Sequence, residues 1–242
     1  MMEAAEILRV VDHRPWELPS GPWVMMQGWY DLLFAHWAVA PEILRPLIPE
    51  PLELQTFNGQ AWVSVTPFDL RLQPRGLPPL FHFPEMNCRT YVEFGGKPGI
   101  FFFSLDARSR LAVWGARTFY RLPYFYADIR IHKTGGRIEY GSQRPNGSAG
   151  FKASYSPQGA VRRATPGGLE HWLTERYCLY AIWRQRLYRG EIHHIPWPLQ
   201  DATCEIETNR VAAKSGITLP EAAPLLQFAR ELDVLIWPLK PA

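Results

Sequence analysis

A carboxylate, an amide, a guanidinium and a phenol recur at every second position from Glu85 to Tyr91, as Glu85, Asn87, Arg89 and Tyr91. Side chains of an extended chain alternate between faces, so in a strand these four share one side while Met86, Cys88, Thr90 and Val92 share the other. Two readings are open. A half-exposed antiparallel sheet would turn such a polar face to water. A hollow barrel would turn it inward, where a carboxylate can move a proton and a guanidinium can hold an anion.

Histidines and cysteines add less. His193 and His194 are adjacent and point to opposite sides of a strand, so they do not chelate one ion, and no Cys or His stands at helical or knuckle spacing to help. No metal is expected. His36 alternates with Phe34 and Leu32, which suits a hydrogen-bonded core histidine, with a lumen position as the second choice. Cys88, Cys178 and Cys204 are odd in number and far apart, which argues against a disulfide framework and fits a reducing cytoplasm.

The elements that would position these groups are mostly strands. Twenty-three Pro and 18 Gly punctuate runs rich in Val, Ile, Phe, Tyr and Trp. The spacing predicts strands over Gln27 to Trp37, Ala61 to Asp69, Met86 to Phe94, Gly99 to Leu105, Tyr124 to His132, Gly136 to Ser142, Gly150 to Ser156, Tyr177 to Trp183, Leu187 to Ile195 and Gln227 to Trp237. Gly95-Gly96-Lys97-Pro98 and Thr134-Gly135-Gly136 read as hairpin turns, hence antiparallel pairing. Short helices are expected over Pro41 to Leu47, over Leu111 to Tyr120 ahead of Pro123, and from Thr165-Pro166 to about Arg176. No repeat, low-complexity tract or linker divides the chain, so residues 1–242 read as a single domain.

Composition narrows the class. With 242 residues, 47% hydrophobic and 14% aromatic, the chain has material for a sizeable core. Charged residues interrupt Met1 to Trp16, so no secretory signal is expected, and the apolar runs are too short to span a membrane. A cytoplasmic protein follows. Net charge is +3 and the basic residues are scattered apart from Arg162-Arg163, which excludes the clustered basic face of a nucleic-acid binder. There is no Gly-x-Gly-x-x-Gly after a strand and no phosphate loop, so no cofactor is expected.

The order of several motifs is familiar. Leu44-Arg45-Pro46-Leu47-Ile48-Pro49-Glu50-Pro51-Leu52-Glu53, Phe83-Pro84-Glu85, a glycine hairpin through Gly99, Ser104-Leu105-Asp106 and a helix ending in Gly115-Ala116-Arg117 resemble an acetoacetate decarboxylase from roughly Gln27 to Arg130. Phe34-Ala35-His36-Trp37, Asn87-Cys88-Arg89-Thr90-Tyr91-Val92, Leu111-Ala112-Val113-Trp114-Gly115-Ala116-Arg117, Leu173-Thr174-Glu175-Arg176-Tyr177 and His193-His194-Ile195-Pro196-Trp197-Pro198-Leu199 resemble the YqjF-like family of uncharacterised bacterial proteins over nearly the whole chain. The decarboxylase resemblance implies a closed, cone-like antiparallel barrel with an internal site, and it places the family's active-site glutamate on Glu85. Its arginine and second glutamate fall near Tyr30 and Ser64. Its two adjacent lysines, one of which forms a Schiff base after its pKa is depressed by a neighbouring cation and desolvation, fall on Tyr124 and Phe125. Schiff-base decarboxylation is therefore not expected. Lys97 and Lys133 sit in turns, Lys214 in a polar segment and Lys240 in the tail, which leaves Lys152 as the one lysine in a strand that could turn it inward.

The resulting expectation is a mainly β (β-rich α+β) chain forming a closed antiparallel barrel with a few short helices. Its pocket should be lined by Glu85, Asn87, Arg89, Arg117 and Tyr124, with Tyr91, Trp114 and His36 as further contacts to a small-molecule ligand. Glu85 would move a proton, Tyr124 would steady developing negative charge, and Arg89 or Arg117 would bind a carboxylate. Glu175 and Arg176 read instead as a helix cap or a salt bridge to the barrel wall. The chain is then a lysine-independent acid/base enzyme for a small carbonyl or carboxylate compound. A role of a different class is a barrel that binds a ligand without chemistry or assembles with itself. A hollow lumen holding Glu85 near an arginine would favour the enzyme, and a lumen packed solid would favour the binder or scaffold.

Overall fold

The computed structural model describes residues 2–242. In chain order the elements are α1 (Ala4–Arg9), β1 (Met25–Val39), α2 (Pro41–Leu44), β2 (Glu53–Leu54), β3 (Ala61–Pro74), β4 (Phe81–Phe94), β5 (Lys97–Ala107), α3 (Arg110–Gly115), β6 (Tyr124–Tyr126), β7 (Asp128–Thr134), β8 (Arg137–Gln143), β9 (Gly150–Arg162), α4 (Leu169–Thr174), β10 (Cys178–Trp183), β11 (Arg186–His193), β12 (Leu199–Asn209), β13 (Leu225–Ile236) and β14 (Lys240–Pro241). The chain is mainly β. Both glycine turns form as the sequence requires: Gly95 and Gly96, and Gly135 and Gly136, all have positive φ and join β4 to β5 and β7 to β8.

Seven strands close on themselves. The hydrogen-bonded path runs β11–β10–β5–β4–β3–β1–β13, and β13 returns to β11 through Ile236 opposite Ile192 and Leu235 opposite His193. One edge of β13 pairs with β1, from Met25 opposite Ile236 to His36 opposite Leu225. Its other edge is shared between β11 and β12, and from β12 the sheet continues through β9, β8 and β7. That continuation folds back as a second layer. Leu33, Ala35, Val63, Val65, Met86 and Cys88, on the outer face of the ring, pack against Ile129, Tyr140, Phe151, Ala153, Tyr155 and Phe228 in one buried cluster.

The inner face carries a different set, including Leu32, Phe34, Phe68, Leu70, Phe83 and Leu105. β4 is therefore buried on both sides. The solvent-facing reading of its polar face fails because the apolar face lies against the second layer and the polar face looks into the ring.

Some local expectations change. β12 went unmarked because its inward residues Ala202, Cys204 and Ile206 alternate with Asp201, Thr203, Glu205 and Glu207, which reads as a weak, polar pattern. Tyr124 to His132 is not one strand: β6 runs parallel to β5, and after Ala127 the chain leaves to pair with β8 as β7. β10 also meets β5 in parallel, so the ring has a parallel seam within an otherwise antiparallel path. The helix expected from Thr165 begins only after Gly168, because Gly167 adopts φ +79 and the Gly168 N–H closes a turn onto the Thr165 carbonyl. α1, unforeseen, is a single amphipathic stretch that buries Ile7.

The parallel seam depends on a glycine. A Cβ on Gly99 of β5 would stand 2.7 Å from Cys178 Sγ and 2.9 Å from the Cys178 carbonyl of β10, too close for the backbones to stay where they are. Gly99→Ala is expected to cost about 1–3 kcal/mol of unfolding free energy in denaturant titration. Gly141→Ala, whose Cβ meets open space, should change stability far less.

Candidate functional site

The pairing of β3 with β4 lays out the ring interior in rows. Leu72 faces Phe81, Leu70 faces Phe83, Phe68 faces Glu85, Thr66 faces Asn87 and Ser64 faces Arg89, each row about 7 Å of strand beyond the last. A cavity of about 390 Å³ follows these rows, bounded on the far side by residues of β5, α3, β10 and the stretch around His194 and Trp197. The lumen is hollow.

Glu85 is 3% exposed and sits midway along the rows. The Tyr124 hydroxyl is 3.0 Å from each of its carboxylate oxygens and donates to them, and the neighbouring Tyr140 hydroxyl donates to the Glu85 carbonyl at 2.8 Å. Burial pushes the Glu85 carboxyl up to about 8; the Tyr124 bond opposes this and the nearby Asp106 charge adds to it. Asp106 is itself held by Arg144 through contacts of 2.6–3.1 Å. Glu85 is thus a carboxyl poised to hold or release a proton near neutrality.

Arg89 is buried without a carboxylate. Its Nε and Nη2 have no partner among the described residues, no ion pair reaches it, and the Phe34 ring lies 5.3 Å from its Cζ. Burial lowers its pKa, but a guanidinium stays charged in any protein environment at neutral pH. Arg176 is a second such group. It is 4% exposed, donates to the Trp172 carbonyl at 2.7 Å and to Gln55 Oε1 at 2.5 Å, stacks at 4.4 Å on Trp172, and leaves Nη2 unpartnered. Burial brings it down to about 10, still cationic at pH 7. With Glu85 protonated, the cavity carries two positive charges and no fixed negative one. Asn87 lies between Glu85 and Arg89, its Oδ1 accepting from the Thr66 hydroxyl.

The structure brings Glu85, Asn87, Arg89 and Tyr124 together at the cavity, with Trp114 at its mouth. It does not bring Arg117. Arg117 follows Ala116 on the opposite side of the turn, is exposed, and comes only within 5.9 Å of the Phe125 ring, while Ala116, Phe119 and Tyr120 face the cavity. Tyr91 and His36 are also displaced from the lining. They form a closed network below Arg89, with Ser64 Oγ 2.6 Å from both the Tyr91 hydroxyl and His36 Nδ1, and His36 Nε2 3.2 Å from Gln227 Oε1. Both His36 nitrogens are occupied, and burial holds its pKa down to about 3, so it is a neutral core histidine. Lys152 points outward to Glu207 at 2.6 Å, and no lysine lines the cavity among the described residues.

Two basic lining residues were given no pocket role by the sequence. Arg176 and His194 belong to the Leu173–Tyr177 and His193–Leu199 runs, whose repeated Glu, Arg and His within aromatic surroundings were the available signal. Glu175 is the C-cap residue of α4, its N–H bonding the His171 carbonyl, and Arg176 Nε donates to the Trp172 carbonyl at the same helix end, so the expected cap forms. The Glu175 carboxylate does not pair with Arg176 but accepts from the Trp197 N–H at 2.9 Å and from the Tyr177 hydroxyl. It thereby ties the two runs together and holds Trp197 against Phe34 at 4.9 Å. His194 stacks on Tyr177 at 4.8 Å, and burial lowers its pKa. No group of three metal-ligating side chains assembles among the described residues, and no helix among them is long and apolar enough to cross a membrane.

The sequence pattern of DUF2071, an uncharacterized conserved protein family, matches residues 26–233. The chain belongs to this family. This DUF2071 member is 54% identical over 228 residues to the uncharacterized protein YqjF of Bacillus subtilis (strain 168), covering 92% of this chain and 94% of that one. Among solved structures it is similar to acetoacetate decarboxylase from Legionella pneumophila, with TM-score 0.64 and 14% identity over 98% of this chain and 94% of the other. It is also similar to the enduracididine biosynthesis enzyme MppR complexed with pyruvate, with TM-score 0.64 and 13% identity over 94% and 93% of the two chains. At such identities the likeness is one of fold: the DUF2071 chain has the acetoacetate decarboxylase-like architecture.

The raised Glu85 carboxyl predicts a pH signature. It binds its proton more tightly folded than unfolded, so the stability it carries is full below pH 4.5 and is lost as pH rises through about 8. Glu85→Gln removes the titration. Chemical denaturation from pH 5 to 9 should show the variant gaining on the wild type by up to about 1.4 kcal/mol per pH unit until about pH 8 and levelling off above it.

Proposed function

We propose that this protein is a lysine-independent acid/base enzyme acting on a small carbonyl or carboxylate compound held in the ring cavity. The observation that carries this reading is a buried Glu85–Tyr124 pair sharing a hollow lumen with the unpaired Arg89 guanidinium. A buried cation without a counter-ion is costly, and a ligand carboxylate would offset that cost with charge-assisted hydrogen bonds to the free Nε and Nη2. Arg176 takes the second anchoring role that Arg117 cannot fill.

In this reading Glu85, once deprotonated, removes a proton from carbon next to a ligand carbonyl, and the Tyr124 hydroxyl turns from Glu85 to the oxygen on which negative charge collects. Low dielectric strengthens both interactions. The fold neighbour MppR, described in complex with pyruvate, supports a carboxylate ligand for such an architecture. No step passes through an amine, consistent with tyrosine and phenylalanine at positions 124 and 125.

Two measurements test the reading. Thermal shift against a panel of keto acids and carboxylates should raise the wild-type Tm, and Arg89→Ala should abolish that rise. Loss of C–H signal by exchange with D₂O, followed by NMR for the acids that bind, should proceed with wild type, increase with pH through about 8, and fall by about 10²–10⁴ in Glu85→Gln. A wild type that binds these acids without exchanging any proton is a binding protein, and the catalytic reading is then discarded.

A further inference from the structure

The ladder rows sort the cavity by polarity. Arg89–Ser64 and Asn87–Thr66 stand at one end, Glu85–Phe68 comes next, and beyond it only Phe83–Leu70 and Phe81–Leu72 remain. β1 sets Trp29 opposite Leu70, and β5 sets Leu105 opposite Asn87, so the neighbouring walls add further apolar surface. From Arg89 to Phe81 is eight residues, about 26 Å of strand. The cavity is therefore long, charged at one end and mainly apolar at the other, where Gln27, opposite Leu72, adds an amide whose Oε1 accepts from Trp29 Nε1 at 2.8 Å.

The apolar end opens under α3 and the turn that follows it. Leu111, Trp114 and Phe119 line the cavity there while remaining 59%, 59% and 65% exposed. Large apolar side chains held at a cavity mouth in water are a feature of sites that receive apolar ligands. A ligand of pyruvate size would cover the polar rows alone. The cavity volume of about 390 Å³ leaves room for about a dozen non-hydrogen atoms at roughly 30 Å³ each.

We infer that the ligand of this site is an amphiphilic monocarboxylate: its carboxylate lies against Arg89 and Arg176, and a straight or aryl-terminated apolar tail of about six to ten carbons runs past Phe68 toward Leu70 and Phe83, in the direction of the mouth at Trp114. The inference rests on Arg89 as the carboxylate anchor and adds the tail. The unpartnered Nε and Nη2 of a guanidinium only 6% exposed supply the polar determinant, and the outward rows supply the rest.

The test is a homologous series of straight-chain acids from acetate to decanoate, kept below micellar concentrations, with Kd read by calorimetry and the matching alcohols as controls. Affinity should rise about fourfold per added methylene, which is the fold-change of burying one CH₂, and level off once the tail reaches the mouth. The alcohols should bind at least tenfold more weakly than the acids of equal length. Leu70→Trp, which fills the row a ten-carbon tail reaches, and Phe83→Ala, which strips it, should each shrink the decanoate-to-acetate affinity ratio by tenfold or more; two opposite changes guard against a fold defect in one. If affinity is flat along the series while Arg89→Ala still abolishes binding, the anion anchor stands and the tail is refuted. If alcohols and acids gain equally with length and bind equally well, the tail stands and the anchor is refuted. Wild type that binds no member of the series overturns both.

Discussion

Most of this structure follows from β4 being dry on both faces. The ring β11–β10–β5–β4–β3–β1–β13 would have an inside and a wet outside, but the sheet does not stop at β13; it continues through β12 and folds β7, β8 and β9 over the outer face of β1, β3 and β4. Met86 and Cys88 are consumed by that packing. Glu85, Asn87 and Arg89 are thereby committed to the interior, because register with period two allows no third direction. A polar face that cannot reach solvent must be satisfied inside or left for a ligand.

It is satisfied unevenly. Glu85 finds Tyr124, Asn87 finds Thr66, and the deepest polar groups, Ser64, Tyr91 and His36, close on one another. Arg89 does not. Nor is Arg176 fully paired, although aromatic faces of Trp172 and Tyr91 cover it. The buried carboxylate of Asp106 is already bound to Arg144, and Glu85 is held toward its neutral form by burial. Positive charge therefore collects at one end of the lumen, where Arg89 and Arg176 stand without a carboxylate partner.

Tyr124 and Phe125 give the site its chemical character. A lysine at 124 would face Glu85 and form an ion pair with it, pulling the carboxyl down and removing its value as a proton carrier near neutrality. The phenol instead hydrogen-bonds both oxygens without supplying charge. At 125 the ring packs 3.9 Å from the Arg144 guanidinium, a position where an ammonium would meet a like charge. The two aromatic residues are integrated with their neighbours: the Tyr124 phenol with the Glu85 carboxyl, the Phe125 ring with Arg144.

Much of this was legible in the chain itself. Alternation from Glu85 to Tyr91, the glycine turns at 95–96 and 135–136, and the absence of lysine at 124 and 125 depend on local stereochemistry and residue identity, and the β-rich fold and both turns follow in the structure, which adds the hydrogen bonds between Tyr124 and Glu85. What tertiary structure decided is which of two faces is wet and which distant residues share a cavity. Arg117 and Arg176 are each an arginine at a helix end in sequence; one faces water, while the other lines the lumen beside Gln55 and Tyr91, residues distant in the chain that only the folded ring brings to it. Periodicity is a property of one strand, whereas burial is a property of everything that strand is packed against.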